Sequence, residues 1–354
     1  MTEKRARLGC RESLRQFGGF LAGSPLASEL VNPAYAQDGL PAIRLAPVEE
    51  IVAAPEFEQM AELALRPEMF ETIRRGDRAS FDKMTFRQRL MVYAMDLDLT
   101  TELFGHAMFA PIIVGPVGHQ GTLHEEGELA TARGAAAAQT SIVATRHSSF
   151  PIEEIAAETD QPLWYQVYAE LDLTPVREDA ARAVAAGCQV LCVTVGVSSA
   201  GAPVRIDWGA IEQFALNAGV PVVVKGIMNL DDAHTAVDRG AQGLVVSNHG
   251  GAVGLGGVAP VDVLPTIVDA IGDRVRVLVD GGFTRGSDIL KGLALGATAV
   301  MLARPMMWAL AAYGAPGVET ALRLLINELA RNMAASGRPT IGMIDRELVR
   351  FDSR

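Results

Sequence analysis

The run Val245-Val246-Ser247-Asn248-His249-Gly250-Gly251 places a histidine where an apolar segment gives way to glycines. An imidazole held there can exchange a proton with a bound molecule near neutral pH. The plainer alternative is a histidine hydrogen-bonded within its own loop, and the flanking glycines favour access to a ligand. The following residues, Ala252-Val253-Gly254-Leu255-Gly256-Gly257, are uncharged, so this turn has nothing to hold an anionic substrate.

Other reactive side chains end similar apolar runs. Lys225 closes Pro221-Val222-Val223-Val224, where its charge could face an electron-rich ring or, at a lowered pKa, form a Schiff base. Gln166 and Tyr168 alternate along Trp164-Tyr165-Gln166-Val167-Tyr168 and so share one strand face. Asp280-Gly281-Gly282 lets backbone approach an anion, and Arg304, beyond the next apolar run, adds a cation. Together these two features favour a phosphorylated ligand or cofactor.

The elements that must position these groups are short β-branched runs alternating with alanine-rich helical segments. Eight strands are expected, over Pro111–Gly115, Thr140–Ala144, Leu163–Tyr168, Val190–Val195, Pro221–Lys225, Gly243–Ser247, Val275–Asp280 and Ala299–Ala303. Helices are expected between them, including Glu125–Ala138, Ile152–Thr159, Thr174–Ala186, Asp231–Arg239, Val261–Ile271 and Ser287–Leu295. Eight such repeats close most economically into an α/β (β/α)8 TIM barrel, here with an N-terminal helical extension. The candidate residues then fall at C-terminal strand ends, the rim where barrels carry their sites.

Composition narrows the partners. A net charge of −11 argues against a nucleic-acid partner, which requires a basic face. No uninterrupted run of 18 apolar residues suggests a membrane span. Cys10, Cys188 and Cys192 form neither a disulfide framework nor a metal-ligand pattern, so no metal is expected. Cys188 and Cys192 are read as buried thiols on one face of a strand. Residues 1–45 are read as an extension and 46–354 as the barrel. Arg11 to Gln37 loosely resembles an export signal, ending in Ala34-Tyr35-Ala36, but the paired arginines of a twin-arginine signal are absent. The expected location is cytoplasmic, with export as the alternative.

From about Met84 to Gly337, the order Gln166-Val167-Tyr168, Thr194, Lys225, Ser247-Asn248-His249-Gly250-Gly251, Asp280-Gly281-Gly282 and Arg304-Pro305 resembles the FMN-dependent 2-hydroxy-acid oxidases and dehydrogenases, such as glycolate and lactate oxidases. The resemblance implies a barrel binding FMN at its mouth, a small-molecule substrate and a homo-oligomer, tetrameric in many members. It implies that His249 is the catalytic base, that Tyr168 hydrogen-bonds substrate, and that Lys225 stabilises reduced flavin. Thr145, Gln166, Thr194 and Ser247 would line the isoalloxazine or ribityl chain, with Pro116-Val117-Gly118 beneath the ring. Asp280, Gly281, Gly282, Ala303 and Arg304 would hold ribityl and phosphate. His147 falls where an aromatic often faces substrate.

The departures cluster on the substrate side. Ala252 stands where the family carries a carboxylate-binding arginine, and a second such arginine has no counterpart closer than Arg205. Gly196 replaces the aspartate that partners the base, and Phe70 is the nearest candidate for a substrate-contacting tyrosine. On the phosphate side Thr284 replaces an arginine, with Arg285 expected to compensate. Losing one charged partner of a desolvated carboxylate costs about 2–5 kcal/mol of binding. A divergent FMN oxidoreductase with an altered substrate is therefore expected. A flavin-binding paralogue without turnover and a Schiff-base lyase or isomerase using Lys225 remain the alternatives.

Overall fold

A computed structural model describes residues 45–88, 96–169, 174–251 and 257–351. The expected extension over residues 1–45 lies, except for Leu45, outside the described residues, as do Cys10 and Ala252.

The eight β-branched runs form the barrel: β1 (Ile112–Val114), β2 (Ser141–Thr145), β3 (Leu163–Tyr168), β4 (Val190–Thr194), β5 (Val222–Ile227), β6 (Gly243–Val246), β7 (Arg276–Asp280) and β8 (Ala299–Leu302). Each pairs in parallel with its sequence neighbours, and β8 closes on β1 through Val300↔Ile112 and Leu302↔Val114. Such strands are covered on both faces, by helices outside and packed side chains inside, which is why they read as continuous apolar runs.

One face of each strand fills the barrel. Ile113, Val143, Trp164, Cys192, Val223, Val245, Leu278 and Met301 belong to a single apolar interior cluster. A hairpin of Thr101–Leu103 and His106–Met108 adds Leu103, Phe104 and Met108 to that cluster, with Phe104 edge-on to Trp164 at 5.6 Å. Two residues further along each strand, on the same face, the interior turns polar: Thr145, Gln166, Thr194, Lys225, Ser247 and Asp280. This change of polarity defines the mouth.

The outer helices are α4 (Gly127–Ala137), α5 (Ile152–Ala157), α6 (Thr174–Ala185), α7 (Trp208–Leu216), α8 (Leu230–Asp238), α9 (Pro260–Ile271), α10 (Gly286–Ala294) and α11 (Arg304–Ala335). Ahead of the barrel come α1 (Glu56–Ala64), α2 (Pro67–Ile73) and α3 (Ala79–Asp82). The helix α11 is broken at Gly314, and its Tyr313 ring meets Phe57 of α1 edge-on at 5.8 Å. A short antiparallel pair, Met84–Phe86 with Val349–Phe351, ties the segment after α3 to the end of the described chain.

The cysteine reading needs one correction. β4 begins at Val190, so Cys188 precedes the strand and packs in the outer core, whereas Cys192 faces the barrel interior. Burial pushes both thiols up to about 12, which keeps them protonated and unreactive.

Candidate active site

The polar tier at the strand ends opens into a cleft of about 1080 Å³, open mouth included, lined by Gln166, Tyr168, Thr194, Lys225, His249 and Asp280 among others. Neighbouring strands bring these residues into register: Gln166 Nε2 donates to Thr194 Oγ1 at 2.8 Å, and Thr194 pairs with Lys225 across β4 and β5. Lys225 Nζ lies 2.7 Å from Asp280 Oδ2 and donates to Ser247 Oγ at 3.0 Å, while Ser247 Oγ donates to the same carboxylate at 3.0 Å. Burial, the largest influence on each, opposes both charges. Their mutual attraction and hydrogen bonds outweigh it, so Lys225 is held above and Asp280 below its usual range.

His249 sits directly above this pair. Its φ of 54° places a β-carbon-bearing residue in the left-handed region, a strain of about 1–3 kcal/mol that concentrates at functional sites. The backbone N–H of His249 donates to Ser247 Oγ at 3.2 Å, and its ring bonds the Val195 carbonyl. A bulge in β5 between Lys225 and Ile227 makes room for the ring. At Gly226, φ 115°, a β-carbon would come within 2.6 Å of His249 Nε2 and of Val195 O. Burial first, then the Lys225 charge, brings the imidazole down to about 4, leaving it neutral and proton-accepting at pH 7.

After β7 come Gly281 and Gly282, both at positive φ and both lining the cleft. Arg304 and Ala303 follow β8, and Arg304 donates to Gly250 O. Pro116 and Val117 line the cleft after β1. Gly118 lies behind them against His147, whose carbonyl oxygen a β-carbon there would approach to 2.9 Å.

Several expected residues are placed elsewhere. The Arg285 guanidinium turns away to Glu328, 2.6 Å distant, and borders a separate surface hollow. Thr145 is buried and accepts from the His147 backbone N–H at 3.2 Å, but it lies outside the main cleft, as does His147. The ring of His147 is 5.7 Å from that of Tyr168, so it forms a layer behind that residue. Arg205 is exposed away from the cleft, and Phe70 is buried in the core. The end of α2 contributes Thr72 and Ile73 to the wall instead, the strap after it Arg75 and Gly76, and α11 adds Met307 and Trp308. No sequence signal marked the apolar wall residues. The Arg74-Arg75-Gly76 triplet was the available hint for the strap.

A glycine-lined anion cradle with an adjacent arginine, a buried lysine and a neutral histidine over one cleft fits a phosphorylated flavin. The family model for FMN-dependent dehydrogenases matches residues 68–205 and 197–351. The chain belongs to this family. It is 32% identical to a peroxisomal (S)-2-hydroxyacid oxidase of Arabidopsis thaliana, over 86% of this chain and 98% of that protein. It is 33% identical to an L-lactate oxidase of Nostoc sp., over 82% and 95%. A crystal structure of mandelate oxidase superposes with a TM-score of 0.80 at 33% identity, covering 86% of this chain and all of that one. The protein is thus an FMN-dependent oxidoreductase, and neither the non-catalytic paralogue nor the Schiff-base lyase finds support in these relationships. Among the described residues no cluster could hold a metal ion, and no helix is long and apolar enough to cross a membrane.

Proposed function

We propose that this family member oxidises the CH–OH carbon of a small hydroxylated substrate whose carboxylate, where present, is only weakly held. FMN, when bound, supplies the two-electron acceptor. His249 removes the hydroxyl or α-carbon proton, Tyr168 hydrogen-bonds the substrate oxygen, and Lys225 balances negative charge that develops on the flavin. Gln166, Thr194 and Ser247 hold the ring and ribityl chain with Thr145 in support. Pro116, Val117 and Gly118 form the backbone floor. Asp280, Gly281, Gly282, Ala303 and Arg304 take the ribityl and phosphate. Arg285 leaves this set because Glu328 already holds it.

The observation that carries the reading is the neutral His249 held over the Lys225–Asp280 pair. Relatives named for 2-hydroxy acids, lactate and hydroxymandelate give the substrate class. Ala252, and an Arg205 that lies outside the cleft, argue that the acid group is gripped less tightly than a paired arginine clamp would grip it. His147, behind Tyr168, acts as a secondary wall of the substrate pocket. A homo-oligomer, tetrameric by family resemblance, working in the cytoplasm completes the proposal.

Anaerobic mixing of the flavin-loaded protein with a panel of 2-hydroxy acids, neutral alcohols and amino compounds tests it. At least one hydroxylated compound is expected to bleach the flavin. In His249→Ala the bound flavin remains and bleaching slows by about 10²–10⁴-fold. Undiminished bleaching in that variant removes His249 as the base.

A further inference from the structure

The strap between α2 and α3 brings three arginines to one side of the barrel mouth, and they have different fates. Arg74 is exposed and paired with Glu71 at 3.2 Å. Arg78 is committed to the buried Asp288 through two bonds of 2.6 and 3.0 Å, and it also bonds Thr284 Oγ1 and Gly282 O. Only Arg75 reaches the cleft, which it lines together with Gly282, Thr284 and Arg304.

Arg75 is held ready to bind. Its Nη2 contacts Glu58 Oε2 at 2.6 Å, its backbone N–H donates to Glu58 Oε1 at 2.8 Å, and its guanidinium lies 5.6 Å from the Trp308 ring centroid. Trp308 is itself fixed by a 2.7 Å bond from Nε1 to Ile73 O. Hydrogen bonds from the Arg75 side chain to described residues use Nη2 alone, so Nε and Nη1 keep their donors. The next residue, Gly76, packs so closely on Arg304 that a β-carbon there would collide with its guanidinium. Arg75 and Arg304 thus line the same cleft as Gly281 and Gly282, and Arg304 itself bonds a neutral carbonyl. A phosphate monoester carries about −1.5 to −2 at pH 7, more than one arginine neutralises.

The geometry points to Arg75 as the second phosphate-side cation of this cleft. It supplies a cation to the wall of the cleft where Thr284 carries no charge and Arg285 is turned to Glu328. The assignment rests on the reading of the cleft as an FMN site, and it predicts which part of the flavin Arg75 senses. Its partner is the phosphate, so the residue separates FMN from riboflavin, which lacks that group.

Release of flavin on dilution of the full-length protein, loaded with FMN or with riboflavin and followed by flavin fluorescence, tests this. In Arg75→Gln the preference for FMN over riboflavin is expected to fall roughly ten- to a hundredfold while riboflavin retention changes less than about threefold. Arg75→Lys keeps part of the preference, since it keeps the charge but not the planar fork. Glu58→Gln removes the counter-charge but keeps the arginine and an amide oxygen for its backbone N–H, and the preference for FMN is expected to stay within about threefold. Equal loss of both flavins in Arg75→Gln and Glu58→Gln would make Arg75 a strap residue only and overturn the assignment, as would an unchanged preference in Arg75→Gln. A wild-type chain that takes up neither flavin would instead sink the FMN reading itself.

Discussion

The two halves of this barrel mouth treat charge differently. From β5 to β8 and the adjoining strap, oppositely charged groups are matched at short range: Lys225 with Asp280, Arg78 with Asp288, Arg75 with Glu58. From β2 to β4, the described residues that line the cleft are neutral: Gln166, Tyr168 and Thr194. The loops of a (β/α)8 barrel vary independently on a common frame. One ligand's site can therefore be kept while the other drifts. The resemblance implies lost arginines, and the described residues show charge pairs on the β5–β8 half that are extended from outside the barrel by Arg75 with Glu58 and Arg78 with Asp288.

The largest effect should come from breaking the matched side. Asp280→Asn leaves the Lys225 ammonium buried without its counter-charge, a change of about 3–5 kcal/mol in stability for a pair of this burial. Thermal melting of the variant with and without FMN would measure it. Destabilisation under about 1 kcal/mol would mean that Ser247 and water suffice to hold the lysine, and that the contrast between the two sides is overstated.

A smaller effect sharpens the contrast by adding a cation beyond β6. Ala252→Arg restores a cation at the position where the family carries one, and a new charge-assisted bond to a carboxylate is worth about 1.5–3 kcal/mol. The expected outcome is a KM for 2-hydroxy acids lowered roughly ten- to a hundredfold, with neutral alcohols unaffected. Equal gains for both substrate types, or none for either, would show that acid recognition in this chain does not depend on that position.

What the sequence could reveal follows the same division. All eight strands were legible because burial on both faces forces β-branched runs, and the strand-end residues Gln166, Tyr168, Thr194, Lys225 and Asp280 followed from the strand limits. Arg285 and Phe70 were misplaced for a different reason. Each was chosen by position along the chain, and the deciding facts, Glu328 arriving from α11 and α2 packing so that Thr72 rather than Phe70 lines the cleft, are contacts between distant segments. Arg75 was missed likewise, since nothing local tells which of two adjacent arginines faces inward.

The smallest effect concerns the base itself, and it is a matter of shape rather than size. A free imidazole titrates near 6.5, whereas burial and the Lys225 charge hold His249 down to about 4. A base acts when unprotonated, so kcat/KM is expected to stay level from about pH 8 down to pH 5.5 and to fall only as pH approaches 4. Linkage gives an independent reading with the sign fixed. Between pH 6.5 and 4 the unfolded chain takes up a proton at this position that the folded chain refuses, so the unfolded state binds more protons and stability falls as pH drops through that window. His249→Asn removes the titrating group, and its melting temperature should decline less steeply than the wild type's from pH 6.5 to 4. Parallel declines, together with an acid limb near 6.5 in the wild-type rate profile, would place His249 in a solvated setting. The lysine below it would then not be what keeps the base neutral.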